Sequence, residues 1–235
     1  LSELRRLRQE NGRVHLGALA TFSDLASSPL CAGSHALLAQ AAAQVGGPQI
    51  RNQGTLGGNI VNASPAGDLL PPLVALEAEV RLCREGGERL LPLAAFLKGS
   101  GRAQILEDEI LVEVIFAALP ARAVSAFVKL GRRNSLAISR ISLALVIVRG
   151  EEGTIEEARL ALGAVAPRPI RVPAAEALLK GARPDPSLGE AVVAAVAETA
   201  AESLGSRASA PYKRVAVRGV VREALVRAIP EFAAG

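Results

Sequence analysis

The 235 residues are half apolar and carry a formal net charge of +4, which is enough apolar material for one large domain or two small ones. No apolar run reaches the roughly 18 residues of a bilayer span, and residues 1–8 lack the apolar stretch of a secretory signal, so we expect a cytoplasmic protein without a membrane span. The two cysteines and two histidines show no metal-ligand spacing, which argues against a metal site.

The first half of the chain predicts a mixed α/β unit. Asn11-Gly12 lies between two alternating segments and favours a hairpin, because both central positions of a type I′ turn need positive φ. Thr21 and Ser34 are candidate helix N-caps. The predicted order is strands at 4–9 and 14–17, helices at 22–27 and 35–45, a Gly-rich loop, a helix at 67–78, and strands at 79–83, 88–91 and 109–116.

The second half begins after a proline that ends the strand pattern near residues 117–122. The predicted elements are strands at 124–132, 138–149 and 154–165, paired antiparallel, and helices at 174–180, 187–203 and 211–229. We therefore predict an α+β protein with two domains. The first covers residues 1–118, and the second is a small antiparallel sheet with helices over residues 122–235.

The Gly-rich loop at 46–68 carries the densest chemical signal. Paired glycines let a backbone approach a flat or anionic ligand and leave N–H groups free to donate. Short polar side chains lie beside them: Thr55, Asn59, Asn62, Ser64 and Asp68. Neither the G-x-G-x-x-G pattern nor the G-x-x-x-x-G-K-[ST] pattern occurs in the loop. The residues by themselves leave two interpretations open, a loop that binds a polar cofactor and an ordinary series of turns.

Two segments of this loop form a specific motif: Ile50-Arg51-Asn52-Gln53-Gly54-Thr55-Leu56-Gly57-Gly58-Asn59 and Ala63-Ser64-Pro65-Ala66-Gly67-Asp68. The motif resembles the flavin motif of the FAD-binding medium subunits of molybdenum hydroxylases, of the xanthine dehydrogenase and carbon monoxide dehydrogenase type. Segments 16–21, 108–111, 126–129 and 212–214 also resemble that family, so the resemblance covers essentially the whole chain.

The resemblance implies FAD as the cofactor and names its contacts. The implied contacts are Gly46, Thr55, Gly57, Gly58, Asn59, Asp68, Ile110, Leu111 and Lys129. Ile110 or Leu111 would lie against the cofactor, and Lys129 would come from the second domain. FAD would then occupy a cleft between two domains, a common location for ligands. The resemblance implies no catalytic acid or base on this subunit.

The same resemblance implies an oxidoreductase subunit that transfers electrons. Residues 1–118 would be the FAD-binding domain, and residues 122–235 the C-terminal flavoprotein domain. Electrons would come from a molybdopterin-containing large subunit through an iron–sulfur small subunit and leave to an external acceptor. The family normally has a preceding segment whose Ala-Gly-Gly-Gly-Thr-like loop holds the FAD pyrophosphate, and nothing similar occurs in these 235 residues. We therefore expect residues 1–235 alone to hold FAD weakly.

Two other functions remain open at this point. A stand-alone flavin-dependent reductase of related fold would need its own proton donor near the flavin, and no residue is assignable to that role. A non-catalytic basic adaptor domain would use Arg214, Arg218 and Arg222, which recur every four residues in a half with 17 basic and 11 acidic groups. Because only 3% of the residues are aromatic, we do not expect a nucleic-acid partner.

Overall fold

The computed structural model describes residues 2–133 and 136–233. The strands in these residues are β1 (Leu7–Glu10), β2 (Arg13–Gly17), β3 (Glu79–Arg84), β4 (Gly87–Pro92), β5 (Leu97–Gly99), β6 (Arg102–Ala103), β7 (Ile110–Ala117), β8 (Ala123–Leu130), β9 (Ile141–Arg149), β10 (Ile155–Gly163) and β11 (Ile170–Arg171). The helices are α1 (Phe22–Ser27), α2 (Ala36–Ala43), α3 (Pro48–Gln53), α4 (Leu56–Asn62), α5 (Leu70–Ala75), α6 (Leu93–Phe96), α7 (Pro173–Leu179), α8 (Pro186–Leu204) and α9 (Ala210–Ala228). The predicted α+β class is confirmed.

The first half forms a five-stranded sheet in the order β1-β2-β7-β3-β4, and every neighbouring pair is antiparallel. Asn11 and Gly12 both have positive φ, so the predicted hairpin between β1 and β2 is confirmed. Side chains alternate between the two faces, as the period of two requires. Val14 and Leu16 are buried in the core, whereas His15 faces the other side beside Glu113.

The second half forms a four-stranded antiparallel sheet in the order β11-β10-β9-β8. The first eight residues of β9 are all buried, because both faces of this sheet are covered. One face packs against α7 and α9, with α8 packed against these two helices, and the other face packs against α2 and α5. The three predicted strands and the three predicted helices are confirmed, with small shifts at their ends.

Of the two helix N-caps predicted from the sequence, Thr21 is confirmed and Ser34 was wrong. Thr21 caps α1 in a reciprocal arrangement with Asp24, as predicted. Ser34 is not an N-cap, because its hydroxyl donates to the carbonyl of Pro120. The helix predicted at 67–78 begins only at Leu70, since Pro71 and the proline after it fit only in a first turn, where no amide donor is needed.

The two halves share part of their hydrophobic core. The cluster around the first sheet includes six side chains from the second sheet: Ala123, Phe127, Ala144, Val146, Val148 and Ala161. The division at residues 1–118 and 122–235 stays a prediction. In the part of the chain that the structure describes, none of the helices has the length and hydropathy that a membrane span requires.

Candidate functional site

The predicted Gly-rich loop contains two short helices, α3 and α4, which the sequence analysis did not anticipate. Thr55 is the N-cap of α4, and its Oγ1 accepts a hydrogen bond of 3.1 Å from the amide of Gly58. Glycine has a low helix propensity, so Gly57 and Gly58 make this helix difficult to predict from the sequence. The N-cap threonine was the available signal for it.

The start of α4 lies against the backbone that leaves β2. The amide of Gly57 donates to the carbonyl of Ala18 at 2.8 Å, and the amide of Leu56 donates to Ala20 at 2.8 Å. A Cβ at Gly57 would lie 2.9 Å from both the carbonyl oxygen and the Cβ of Ala18. Gly57 therefore permits a close approach between backbone segments. The expectation that the amides of Gly57 and Gly58 are free to donate was wrong.

Alanine at these two glycines should lower stability by different amounts. We expect Gly57→Ala to lower the free energy of unfolding by about 1–3 kcal/mol, because the new methyl group overlaps Ala18. Gly58 is exposed, and a Cβ there would contact only Thr55 Oγ1, at 3.0 Å, so Gly58→Ala should change stability by less than about 1 kcal/mol. Urea unfolding of both variants measures this. Equal losses in both variants would contradict the packing role of Gly57.

Asn59 presents an acceptor without a partner. Its side-chain Oδ1 is buried, and no donor within residues 2–133 and 136–233 reaches it. Buried polar atoms are normally hydrogen-bonded, so an unpaired one needs an explanation. A ligand that donates a hydrogen bond to this oxygen would supply the missing partner.

Gly46 is fixed in a left-handed conformation at the end of the α2 segment. Its φ is +44°, and a Cβ there would lie 2.9 Å from the Cβ of Ile50. The guanidinium of Arg51 donates to the carbonyls of Gly46, at 2.8 Å, and Val45, at 3.1 Å. The turn that carries Gly46 is therefore set both by backbone geometry and by a neighbouring cation.

Lys129 and Asp68 form a buried ion pair across the two halves of the chain. Lys129 Nζ lies 2.6 Å from Asp68 Oδ2, and each side chain is 7% exposed. Nζ also donates to the carbonyl of Gln44 at 2.9 Å, and the hydroxyl of Ser139 donates to Asp68 Oδ1. Burial raises the pKa of Asp68 above its ordinary value, while the charge and hydrogen bonding of Lys129 and Ser139 oppose this increase.

A cleft of about 410 Å³, here called the Lys129 cleft, brings two predicted contacts together. Gly46 and Lys129 both line it, with Arg51, Arg133 and Leu136 among the other lining residues. Its size is within the range of small-molecule sites. Because residues from both halves of the chain line it, its location agrees with the expected position of a cofactor between domains.

Ile110 and Leu111 are not among the residues that line this cleft. Ile110 is 59% exposed at the start of β7, whereas Leu111 is packed in the core and 8% exposed. Strand alternation places them on opposite faces, so the two cannot both lie against one ligand. Backbone hydrogen bonds nevertheless link β7 to α4, because Ala18 bonds to both Val112 and Gly57.

Three residues that bond to predicted contacts were not predicted from the sequence: Ser139, Gln44 and Arg51. Arg51 belongs to the quoted motif, so its position was the available signal. Ser139 and the Gln44 carbonyl gave none, because only the fold places them beside Asp68 and Lys129.

Comparison with known families gives two matches. Residues 1–119 match the FAD binding domain in molybdopterin dehydrogenase, and residues 125–228 match the CO dehydrogenase flavoprotein C-terminal domain. The chain belongs to the family of FAD-binding medium subunits of molybdenum hydroxylases. It is an oxidoreductase subunit, and its cofactor is FAD.

Proteins of known family match this chain along almost its whole length. The nicotinate dehydrogenase FAD-subunit of Eubacterium barkeri is 36% identical, over 100% of this chain and 80% of the relative. The xanthine dehydrogenase FAD-binding subunit of Escherichia coli O157:H7 is 32% identical, over 97% and 79%. The solved carbon monoxide dehydrogenase from Hydrogenophaga pseudoflava is 32% identical with a TM-score of 0.89, over 99% of this chain and 80% of the matched one.

The residues of this subunit fit FAD at two places. The unpaired Oδ1 of Asn59 can accept a hydrogen bond from a cofactor hydroxyl or ring N–H. Gly58 is exposed and has no side chain, which allows a ligand to approach the backbone of α4. Neither observation tests the individual contacts, and the nine residues implied by the resemblance stay predictions.

Proposed function

We propose that this FAD subunit carries electrons from the iron–sulfur centres of a partner subunit to an external acceptor. The proposed complex contains a molybdopterin-containing large subunit and an iron–sulfur small subunit, and it is cytoplasmic. The observation that carries this proposal is the similarity, along the whole chain, to proteins described as FAD subunits and medium chains of dehydrogenases. Such names describe parts of larger enzymes.

We further propose how this chain holds the cofactor. The start of α4, with Thr55, Gly57, Gly58 and Asn59, contributes one wall and an acceptor. Gly46 and Lys129 contribute the second wall at the Lys129 cleft, Asp68 acts there through its ion pair with Lys129, and either Ile110 or Leu111 contributes an apolar contact. Bound FAD supplies reversible two-electron redox chemistry, and the protein's part is to orient it, limit solvent access and set the surrounding charge. Residues 1–118 and 122–235 are the two domains of this proposal.

Lys129 and Asp68 should shift the flavin potential in opposite directions. A lone charge at about 4 Å in an effective dielectric near 20 is worth about 4 kcal/mol, and the partner carboxylate at 2.6 Å removes much of this field. We expect Lys129→Gln to lower the reduction potential, because positive charge stabilises the electron-rich state. Asp68→Asn should raise it. Spectroelectrochemical titration measures the reduction potentials of both variants. If neither potential differs from that of the unmodified protein, the ion pair lies away from the flavin.

The proposed function is tested by what purifies with the chain and by one electron-transfer step. An affinity-tagged chain from its source cells should carry two further subunits with stoichiometric molybdenum and iron. Mixed without oxygen with its prereduced iron–sulfur subunit, the FAD-loaded chain should lose its oxidised flavin absorbance. A chain that purifies alone and turns over with a soluble reductant would support a stand-alone reductase instead, and copurifying nucleic acid would support the basic adaptor.

A further inference from the structure

A second cleft, here called the basic cleft, has a volume of about 430 Å³, within the range of small-molecule sites. Five parts of the chain meet there: the segment 64–66, Ser100, Ser139, the segment after β10, and Arg207 with Lys213 around the start of α9. Ser139 also donates to Asp68, so this cleft lies beside the Lys129–Asp68 pair. None of its lining residues is among the predicted FAD contacts.

Backbone and side-chain hydrogen bonds fix the walls of the basic cleft. The amide of Ala164, which has a φ of +61°, donates to the carbonyl of Pro65 at 2.9 Å. Lys213 Nζ donates to the carbonyl of Ala164 at 2.5 Å, and Arg207 donates to Val165 at 3.1 Å. The cationic side chains are therefore held in place by the strand end across the cleft, which is a preorganised arrangement.

The cleft gathers positive charge without carboxylate compensation. Arg207 and Lys213 line it, and Arg140 lies close enough to act on the charge of Lys213. Burial, followed by the charges of Arg207 and Arg140, lowers the pKa of Lys213. Across residues 2–133 and 136–233, no Asp or Glu lies within 4.0 Å of these three cations. By contrast, Arg222 on the same helix is paired with Glu190 at 2.6 Å.

The cations keep unused donors. A guanidinium has five N–H groups and an ammonium has three, and Arg207 and Lys213 each use one on a backbone carbonyl. Repulsion among three neighbouring cations is unfavourable, and an anion placed between them removes it. Serine hydroxyls at the rim, from Ser64 and Ser100, add neutral donors, while proline and alanine side chains form the apolar remainder.

We propose that the basic cleft binds the phosphate group of an organic phosphate. Phosphate oxygens accept several charge-assisted hydrogen bonds at once, which suits donors converging from Arg207 and Lys213. This chemistry has two possible sources, the diphosphate of FAD itself and a separate phosphate-bearing ligand. The proposal depends on the cleft and does not require the proposed electron-transfer role.

The test uses the full chain and inorganic pyrophosphate as the probe, with affinity measured by calorimetry. Lys213→Gln and Arg207→Gln should each weaken pyrophosphate binding about tenfold or more, because each removes a charge-assisted hydrogen bond. Arg218→Gln, an exposed cation on the same helix, is the matched control and should change the affinity less than about twofold. If Lys213→Gln does not fold, Arg207→Gln and Arg140→Gln decide the question.

The same titration with saturating FAD separates the two sources. Pyrophosphate that no longer binds identifies the FAD diphosphate as the occupant, whereas unchanged affinity identifies a separate phosphate ligand. Both results support the phosphate site. The proposal is overturned if the unmodified chain does not bind pyrophosphate. It is also overturned if Lys213→Gln and Arg207→Gln bind pyrophosphate as tightly as Arg218→Gln does. Failure of the partner copurification would leave this result unaffected.

Discussion

Lys129→Met lowers the free energy of unfolding by about 3–5 kcal/mol at neutral pH, the expected cost of removing one partner from a buried ion pair. The pair is 2.6 Å apart, and only 7% of each side chain is exposed, so the remaining carboxylate stays largely desolvated. Asp68 would keep the Ser139 hydrogen bond but lose the nearby positive charge. Methionine has a similar length to lysine, so the change creates little cavity.

The pH dependence of this variant has a definite sign. The pKa of Asp68 is already raised by burial, and removal of Lys129 takes away the largest effect that opposes this rise. A carboxyl whose folded pKa is raised binds more protons in the native state than in the unfolded state. The destabilisation should therefore be largest above the raised pKa and should decrease as the pH falls through it towards 3.8, the ordinary value.

Two controls make the measurement specific. The double variant Lys129→Met with Asp68→Asn should recover part of the lost stability, since no buried charge remains. The exposed pair Arg122–Glu156, with both side chains 55% exposed, offers a surface comparison. Arg122→Met should cost less than about 1 kcal/mol. A Lys129→Met loss no larger than that of Arg122→Met would show that the pair is solvated in solution.

The elements that could be predicted are those whose signal is local. Asn11-Gly12 specifies its own turn, Thr21 specifies a helix start with Asp24, and the apolar run of β9 follows from burial on both faces. Ser34 shows the limit of this reasoning. A serine before an alanine-rich segment has the pattern of an N-cap, but its hydroxyl bonds a carbonyl 86 residues away.

The candidate site shows the same limit of local sequence signals. The motif residues lie close together in sequence, so Gly46, Thr55 and Asp68 could be found from local pattern and resemblance. The pairing of Asp68 with Lys129, 61 residues away, and with Ser139 depends on how the second sheet packs against α2 and α5. No local pattern encodes that contact. The partners of Asp68 could therefore be identified only from the fold.

Gly58→Val should weaken FAD binding by about 5- to 150-fold while leaving most of the fold intact. The glycine is exposed at the start of α4, and a Cβ there meets only the hydroxyl of Thr55. Two methyl groups would project into the space that we assign to the cofactor, and overpacking of this kind costs about 1–3 kcal/mol. Calorimetric titration with FAD and urea unfolding measure the two effects separately.

Gly219→Val is the matched control, because Gly219 is also an exposed helical glycine, and a Cβ there would have no atom within 4 Å. It lies on the exposed face of α9 and should leave FAD affinity unchanged, although valine carries the same helix-propensity change. Weaker FAD binding in Gly58→Val alone therefore reports contact rather than altered helix stability. If both variants bind FAD as tightly as the unmodified chain, the cofactor does not approach α4 at Gly58, and the unpaired Oδ1 of Asn59 needs another explanation.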